Sequence, residues 1–296
     1  MKTGLVMEGG AMRGMFTCGV MDVMLENGIS FDGAVGVSAG AVLGCNYKSK
    51  QIGRGVRYSK KYCTDYRYGS WKSYRKTGNL YDVDFCYYKL PGELDVFDRE
   101  AYVNNPMEFY VTVTDVTPGK AIYHKCDNGI GEDIEWFRAS ASMPIVSEIV
   151  EIGGNKYLDG GIADSIPLRF MQEKGYERNV VILTQPADYV KKKNKFLPLA
   201  RVKLRKYPEM IKAMADRHFR YNATTKYIRE QEERGYVYVI RPPRPLEIGS
   251  MEDKPEELER VYQIGRETGN KYVSAIKNFL AKGEQDDNIC DKAYCQ

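Results

Sequence analysis

Short apolar runs and helically spaced apolar positions alternate along the first part of the chain. Residues 3–8 form a short, mostly apolar run and residues 31–37 an apolar one, which predicts two strands. Between them, apolar positions at helical spacing predict a helix over residues 15–26. Alternation over residues 108–114 and 121–124, on either side of a Pro-Gly turn, predicts a hairpin. At 296 residues, the chain could form one large α/β domain or two small ones.

The remaining pattern predicts more elements of both kinds and two segments without clear periodicity. Further strands are predicted over 156–158, 180–184 and 236–240, and further helices over 51–62, 131–142, 207–234 and from Pro255 to a stop at Gly283. Residues 48–107 are rich in tyrosine and basic residues, and we expect a plain surface segment there rather than an aromatic cover over a site. Residues 186–207 are expected to form a basic connector.

The sequence Gly36-Val37-Ser38-Ala39-Gly40 stands where the second predicted strand meets a segment of small residues. A serine in a tight strand-to-helix turn has its hydroxyl exposed, and the flanking glycines, Gly36 and Gly40, relieve the crowding of the turn. The positive end of the following helix, from Ala39, would stabilise negative charge. Ser38 is therefore a candidate nucleophile, and an ordinary Gly/Ser turn is the alternative.

The first predicted strand runs directly into the loop Gly9-Gly10-Ala11-Met12-Arg13-Gly14. Backbone N–H groups of a glycine-rich turn before a helix can bind a phosphate or an oxyanion. A dinucleotide loop fits less well, because Ala11 replaces the middle glycine and Asp32 precedes its strand. The loop is therefore predicted to be an oxyanion hole for Ser38.

Asp159 lies where the predicted strand 156–158 ends, before Gly160 and Gly161. Asp-Gly-Gly is also a common turn sequence, so the assignment of a base depends on the pairing with Ser38. The chain has two histidines, His124 and His218, and neither follows a predicted strand end. Both are expected to be structural or surface residues, which leaves a serine paired directly with a carboxylate.

These residues together resemble the patatin-like phospholipases, acyl hydrolases that use a Ser-Asp dyad. The resemblance is carried, in the family's order, by the glycine loop, the Ser38 pentapeptide, the segment Ala139-Ser140-Ala141-Ser142-Met143-Pro144, and Asp159-Gly160-Gly161. It implies a three-layer α/β/α sandwich, Ser38 as nucleophile, Asp159 as base, and an oxyanion hole at Gly9, Gly10 and Ala11, with Arg13 close by and Ala39 at the helix end. The family usually has glycine where this chain has Ala11, so a Cβ there could narrow the approach of the substrate carbonyl.

We expect a catalytic domain over residues 1–185 and a basic, mostly helical extension over 186–296 that packs on the same domain. Residues 186–245 carry 16 Lys/Arg against 6 Asp/Glu. Such a segment is usually a solvated face, or it attracts anionic membrane lipids. No nucleic-acid signature was found, so no nucleic-acid partner is expected.

The seven cysteines, at positions 18, 45, 63, 86, 126, 290 and 295, contain no Cys-x-x-Cys pair. This spacing argues against a disulfide framework and a zinc site and favours the cytoplasm, where the basic region would allow peripheral contact with a membrane. No cofactor or metal is expected. The predicted function is that of a serine hydrolase acting on carboxylic esters of lipids. The alternatives are a non-catalytic lipid-binding or regulatory protein with the same fold and, more weakly, a phosphate- or nucleotide-binding module.

Overall fold

The computed structural model describes the backbone of residues 1–293 and the side chains of residues 1–281. Within that range, eight strands form one mixed sheet in the order β5-β6-β3-β2-β1-β7-β8, with β4 paired to β3. The strands are β1 Lys2–Met7, β2 Gly33–Val37, β3 Glu108–Asp115, β4 Lys120–Lys125, β5 Val150–Ile152, β6 Asn155–Asp159, β7 Tyr176–Ile182 and β8 Val237–Ile240. The central strands are parallel to one another, whereas β4 and β6 run antiparallel to β3 and β5 runs antiparallel to β6.

Helices cover both faces of the sheet. The α-helices are α1 Gly14–Glu26, α2 Ala39–Lys48, α3 Arg54–Tyr62, α4 Trp71–Thr77, α5 Arg99–Asn104, α6 Glu132–Ala141, α7 Leu168–Glu173, α8 Leu197–Lys203, α9 Pro208–Glu233 and α10 Pro255–Ala293. Short 3-10 helices occupy Ala11–Arg13, Tyr66–Tyr68 and Gly160–Ile162, and a π-helix occupies Asp84–Leu94.

The continuous apolar runs of the central strands are explained by burial on both faces. In β1, Leu5 and Met7 pack into a core with α1, α2 and α10, whereas Val6 between them packs into a second core with α7 and α9. In β2, Ala34 packs into the first of these cores and Val35 into the second. The result is a three-layer α/β/α sandwich with a mostly helical C-terminal region, as the sequence predicted.

The C-terminal region shares the sheet and the core with the preceding residues. Strand β8 lies parallel to β7, with Val181 opposite Val239, and so extends the central sheet. Helix α10 packs along α1 so closely that a Cβ at Gly19 would lie 2.2 Å from the Tyr262 carbonyl oxygen. A Cβ at Gly265 would lie 2.2 Å from the Phe16 carbonyl oxygen. Glycines at both positions let the two helix backbones approach.

Several predicted boundaries were wrong. Helix α10 does not stop at Gly283 but continues to Ala293. The connector 186–207 contains helix α8. Strand β7 begins at Tyr176, four residues before the predicted start, because its first residues still pair with β1 although they are polar.

Candidate active site

Ser38 lies between the last residue of β2 and the first residue of α2, in the turn that the sequence predicted. Its φ of 55° and ψ of −122° are strained for a residue with a side chain. A Cβ at Gly36 would lie 2.4 Å from the Gly40 carbonyl oxygen, and one at Gly40 would lie 2.4 Å from the Met7 carbonyl oxygen. The two glycines are therefore needed for the strand and the helix to meet so tightly.

Ser140 fixes the backbone of this turn from the side. The Ser38 N–H donates to Ser140 Oγ at 2.9 Å, and Ser140 Oγ donates to the Thr112 carbonyl at 2.7 Å. Ser140 belongs to α6 and is fully buried. The segment 139–144, which the sequence marked only by resemblance, thus connects the serine turn to β3.

Asp159 is the last residue of β6 and only 6% exposed. Its Oδ1 accepts a hydrogen bond from the Gly161 N–H at 2.7 Å, and its own N–H donates to the Ser142 carbonyl at 2.8 Å. A Cβ at Gly160 would lie 2.1 Å from the Thr112 carbonyl oxygen, so this glycine lets the turn pass against β3. The fold thus holds the carboxylate in a fixed position.

The surroundings of Asp159 act on its pKa in opposite directions. Burial raises the pKa above the ordinary aspartate value, and the Arg217 guanidinium, the nearby Ser38 hydroxyl and the Gly161 N–H lower it. Burial dominates, so the net shift is upward. A raised pKa makes this carboxylate a better proton acceptor than a solvated aspartate.

The glycine loop lies directly against Ser38. A Cβ at Gly9 would lie 2.9 Å from Ser38 Cβ, and one at Gly10 would lie 2.7 Å from Thr184 Oγ1. Gly14 starts α1 and packs against Ala39, since a Cβ there would lie 3.1 Å from the Ala39 Cβ. The loop and the first turn of α2 therefore bring two sets of backbone N–H groups close to one serine.

Ala11 has a φ of 48°, in the left-handed region that favours glycine. Glycine adopts this backbone conformation without steric cost, whereas alanine does not. The backbone is therefore strained at Ala11 as well as at Ser38. The alanine lines both cavities that meet at the serine. The predicted narrowing of the carbonyl approach therefore concerns a residue in the wall of both cavities.

Glu8, which the sequence indicates only as the end of a strand, holds the glycine loop in position. It is 3% exposed, and its Oε2 accepts hydrogen bonds from the Thr184 N–H at 2.6 Å and the Thr184 hydroxyl at 3.2 Å. Its Oε1 accepts from the Tyr221 hydroxyl at 2.7 Å. Because Tyr221 comes from α9, no local pattern in the sequence could have indicated this contact.

A largely apolar cavity of about 410 Å³ opens on one side of Ser38. Residues 54–97 form much of its wall, including several aromatic side chains: Tyr58, Tyr68, Tyr81, Tyr87, Tyr88 and Phe97. The expectation that residues 48–107 are a plain surface segment was therefore wrong. The π-helix Asp84–Leu94, an element that often occurs at functional sites, supplies Tyr87 and Leu90 to this wall.

A second cavity of about 490 Å³ contains Ser38 and Asp159 together and has a basic wall. The cationic side chains in it come from the glycine loop and from the C-terminal region: Arg13, Lys191, Lys192 and Arg217. Arg217 lies against the aspartate turn, since a Cβ at Gly161 would lie 3.0 Å from both Arg217 Nη2 and Asp159 Oδ1. The sequence marked this region as basic without indicating that any of it reaches the serine.

The structure places the two histidines apart. His218 lines the second cavity, and its Nδ1 lies 3.0 Å from the Ala215 carbonyl oxygen of its own helix. His124 stacks on Trp136 at 4.1 Å and lies 3.7 Å from Asp133. His124, Cys126 and Asp133 each offer one atom that can bind a metal ion, and these atoms lie within 4.8 Å of one another. However, Asp133 Oδ2 already accepts hydrogen bonds from the N–H groups of Asn128 and Gly129.

Cys18, Cys45, Cys63, Cys86 and Cys126 are unpaired thiols, whereas Cys290 and Cys295 lie outside the described side chains. In the described part of the chain, no helix is both long and apolar enough to cross a membrane.

Fold and site together define an α/β protein with a serine at a strained strand-to-helix turn beside a buried carboxylate. The family model described as "Patatin-like phospholipase" matches residues 5–171, which contain both of these residues. The chain therefore belongs to the patatin-like phospholipase family. A second model, described as a domain of unknown function (DUF6363), matches residues 207–281.

Among curated proteins, the chain is 25% identical to the "Uncharacterized protein YjjU" of Escherichia coli, over 95% of this chain and 80% of that protein. It is 27% identical to the "Lysophospholipase NTE1" of Debaryomyces hansenii, over 59% of this chain but only 11% of that much longer protein. Among solved structures, VipD from Legionella pneumophila is similar at a TM-score of 0.46 and 12% identity, covering 93% of this chain and 67% of that one.

Proposed function

We propose that this protein is a lipid acyl hydrolase that cleaves carboxylic esters through an acyl-serine intermediate. Ser38 is the nucleophile and Asp159 is the general base. The observation that carries the proposal is that Ser38, at its strained turn, and the buried Asp159 line one basic cavity, which meets an apolar cavity at Ser38. Membership of a phospholipase family supports lipid esters as the substrate class, and the lysophospholipase relatives agree with it.

The proposed reaction has two steps in which protons and electron pairs balance. Ser38 Oγ attacks the ester carbonyl carbon while its proton passes to Asp159. The tetrahedral oxyanion collapses, the bond to the alcohol oxygen breaks, and that oxygen takes the proton from Asp159. Water then attacks the acyl-serine, gives a proton to Asp159, and releases the fatty acid as the proton returns to Ser38.

The oxyanion would be stabilised by backbone N–H groups rather than by a side chain. We assign this role to the loop N–H groups of Gly9, Gly10 and Ala11 and to the Ala39 N–H at the start of α2, with the Arg13 charge nearby. Two observations support the assignment: the loop packs on Ser38, and the first N–H groups of a helix have no acceptor within the helix. Glu8 would act as a positioning residue, because it ties this loop to β7 and α9.

We further propose that residues 186–296 complete the catalytic domain of residues 1–185 and do not form a separate unit. Strand β8 extends the sheet, Tyr221 holds Glu8, and Arg217 lies beside Asp159. The contacts of Tyr221 and Arg217 bring the C-terminal region to the site, and β8 joins it to the same sheet. On this proposal, the isolated segment 1–185 would lack part of its active site.

The test of the proposed function is release of fatty acid from monoacyl and diacyl lipid esters by the purified protein. We expect turnover by the wild type and none above background by Ser38→Ala. If a folded wild type hydrolysed no ester, or if Ser38→Ala kept the activity, the proposal would fail and a non-catalytic lipid-binding protein would become the better interpretation.

The acid limb of the pH profile should depend on Arg217. Asp159 must be ionised to accept a proton, and burial raises its pKa, so kcat/KM should fall with decreasing pH at a higher pH than for an ordinary aspartate. The Arg217 charge is the largest influence that lowers this pKa. Arg217→Met should therefore shift the acid limb to higher pH, as measured by kcat/KM on an uncharged ester from pH 4 to 9. Lys212→Met, which removes an exposed cation on the same helix, is the control. If the acid limb of Arg217→Met stays in place or moves to lower pH, Arg217 does not lower the pKa of Asp159.

We propose that the protein acts in the cytoplasm at the surface of an anionic membrane, to which it binds through the region around α8. Phe196, Leu199 and Val202 are exposed by 68%, 52% and 71%. Seven basic residues lie in the same stretch of chain: Lys192, Lys193, Lys195, Arg201, Lys203, Arg205 and Lys206. Apolar side chains among cations suit an anionic interface.

Replacing Phe196 and Val202 together by aspartate should lower binding to vesicles that contain phosphatidylserine by about tenfold or more, because apolar contacts are lost and like charge is added. Cosedimentation measures the binding. Tyr236→Asp, at a residue that is 56% exposed outside this stretch, is the matched control. Equal loss in both variants, or no loss in the double variant, would exclude α8 as the docking surface.

A further inference from the structure

The basic cavity beside Asp159 holds more positive charge than the proposed reaction needs. Arg13, Lys191 and Arg217 face it together with two buried carboxylates, Glu8 and Asp159. Both Glu8 oxygens accept hydrogen bonds from neutral groups, Thr184 and Tyr221. The three cations outnumber these two carboxylates, so the cavity keeps an excess of positive charge.

The guanidinium groups of Arg13 and Arg217 each have a buried N–H donor without an acceptor among the described residues. Arg13 Nε and Arg217 Nε are buried nitrogen atoms without a hydrogen-bond partner in the described structure. Buried donors are almost always paired in folded proteins, so an unpaired donor at a cavity wall indicates a missing partner. Guanidinium groups match the geometry of phosphate oxygens, to which they donate two parallel hydrogen bonds.

Two hydrogen bonds with Asn222 fix the backbone of Lys191 at this cavity wall. Its N–H donates to Asn222 Oδ1 at 2.8 Å, and Asn222 Nδ2 donates to its carbonyl at 3.1 Å. Its Nζ lies 4.5 Å from the centre of the Tyr221 ring. Burial and the neighbouring Arg217 lower the pKa of the ammonium to about 8, so the charge is kept there at a cost in free energy. Costly charges of this kind occur most often at functional sites.

We propose that Lys191, Arg217 and Arg13 bind a phosphate group carried by the substrate, so that the preferred ester is a lipid whose phosphate-bearing head group enters the basic cavity while the acyl chain enters the apolar one. This inference rests on the proposed hydrolase function. Ser38 lines both cavities, so an ester carbonyl between chain and head group would come to lie at its hydroxyl. Two of the three cations come from beyond residue 171, outside the part of the chain that matches the phospholipase model.

Two esters that differ in the phosphate alone provide the test: 1-palmitoyl lysophosphatidic acid and 1-palmitoylglycerol. We expect wild-type kcat/KM to favour the phosphate ester, and Lys191→Met to lower that preference by about tenfold or more, the effect of losing one charged hydrogen bond. Lys212→Met is the matched control, since it removes an exposed lysine of α9 that lies outside both the cavity lining and the basic stretch around α8, and it should keep the wild-type preference.

The preference should also depend on pH. The groups around Lys191 Nζ are Arg217 from α9, Arg13 and Glu8 from the glycine loop and its strand, and Asp159 from β6. As the pH rises through about 8, the ammonium loses its proton and the wild-type preference should fall, whereas the phosphate keeps its charge. Lys191→Arg stays charged throughout this range and should keep the preference up to a higher pH.

A binding measurement separates this inference from the proposed function. Calorimetry with Ser38→Ala, which needs no turnover, should show dodecyl phosphate binding more tightly than dodecanol, with the difference reduced about tenfold by adding Lys191→Met. Equal affinity for dodecyl phosphate and dodecanol, or a preference that Lys191→Met leaves unchanged, overturns the phosphate subsite. Inorganic phosphate binding as tightly as dodecyl phosphate would overturn it in favour of a free-anion site. Hydrolysis of neither ester, with the binding preference intact, would instead refute the hydrolase and leave the anion subsite standing.

Discussion

Ser38→Ala and Asp159→Asn should each lower kcat by about 10³-fold or more, and the double variant should be no worse than either single variant. The nucleophile and its base act in one proton transfer, so removing either group removes the whole contribution of the pair. A loss of this size corresponds to about 4 kcal/mol of transition-state stabilisation. Initial rates of fatty acid release by the three variants and the wild type measure the effect.

Asp164→Asn is the matched control for this prediction. Asp164 is also an aspartate whose pKa burial raises, five residues further along the chain, but its carboxylate accepts a hydrogen bond from the Tyr123 hydroxyl at 2.8 Å. Its replacement should change kcat only a few-fold. If Asp164→Asn lost as much activity as Asp159→Asn, or if the losses in the Ser38 and Asp159 variants multiplied in the double variant, the two residues would not act as a unit.

Gly36→Ala should destabilise the protein by about 3 kcal/mol or more, the upper range for overpacking. The added Cβ would lie 2.4 Å from the Gly40 carbonyl oxygen and 2.5 Å from Ala41 Cα. Both are backbone atoms at the start of α2, so relief requires the helix to move away from β2, and Ser38 would move with it. Urea unfolding followed by circular dichroism measures the stability.

Gly92→Ala is the control for steric cost, because a Cβ there has nothing within 4 Å and the glycine has no positive φ. It should leave the unfolding midpoint unchanged or raise it slightly, since alanine has fewer conformations than glycine in the unfolded chain. A Gly36→Ala protein with wild-type stability would show that the strand and the helix are less tightly packed than the structure indicates.

The sequence was most informative where chemistry and local geometry coincide. The position of Ser38 could be predicted because an apolar strand, two glycines and a helix of small residues follow one another without interruption. The position of Asp159 could be predicted only as the end of a short strand, since the same three residues also form ordinary turns. Their proximity arises from β3, which lies between β2 and β6 in the sheet.

Residues that reach the site from far along the chain could not be predicted. Arg217 follows Asp159 by 58 positions and lies on a helix whose charges predicted a solvated face or a membrane-binding surface, not a part of the site. No sequence pattern indicated the role of Glu8, because its three hydrogen bonds come from Thr184 and Tyr221, which lie far along the chain. The wall of the apolar cavity was missed for a different reason: a π-helix and short turns have no 3.6-residue or two-residue periodicity that a pattern search could detect.

The most direct measurement of the central claim is intact-protein mass after treatment with a fluorophosphonate, on wild type, Ser38→Ala and Asp159→Asn. A fluorophosphonate reacts with an activated serine, so the account predicts one adduct on the wild type and none on either variant, each shown to be folded by circular dichroism. An adduct that persists on Ser38→Ala, or a folded wild type that gains none, would contradict the assignment of Ser38 as an activated nucleophile.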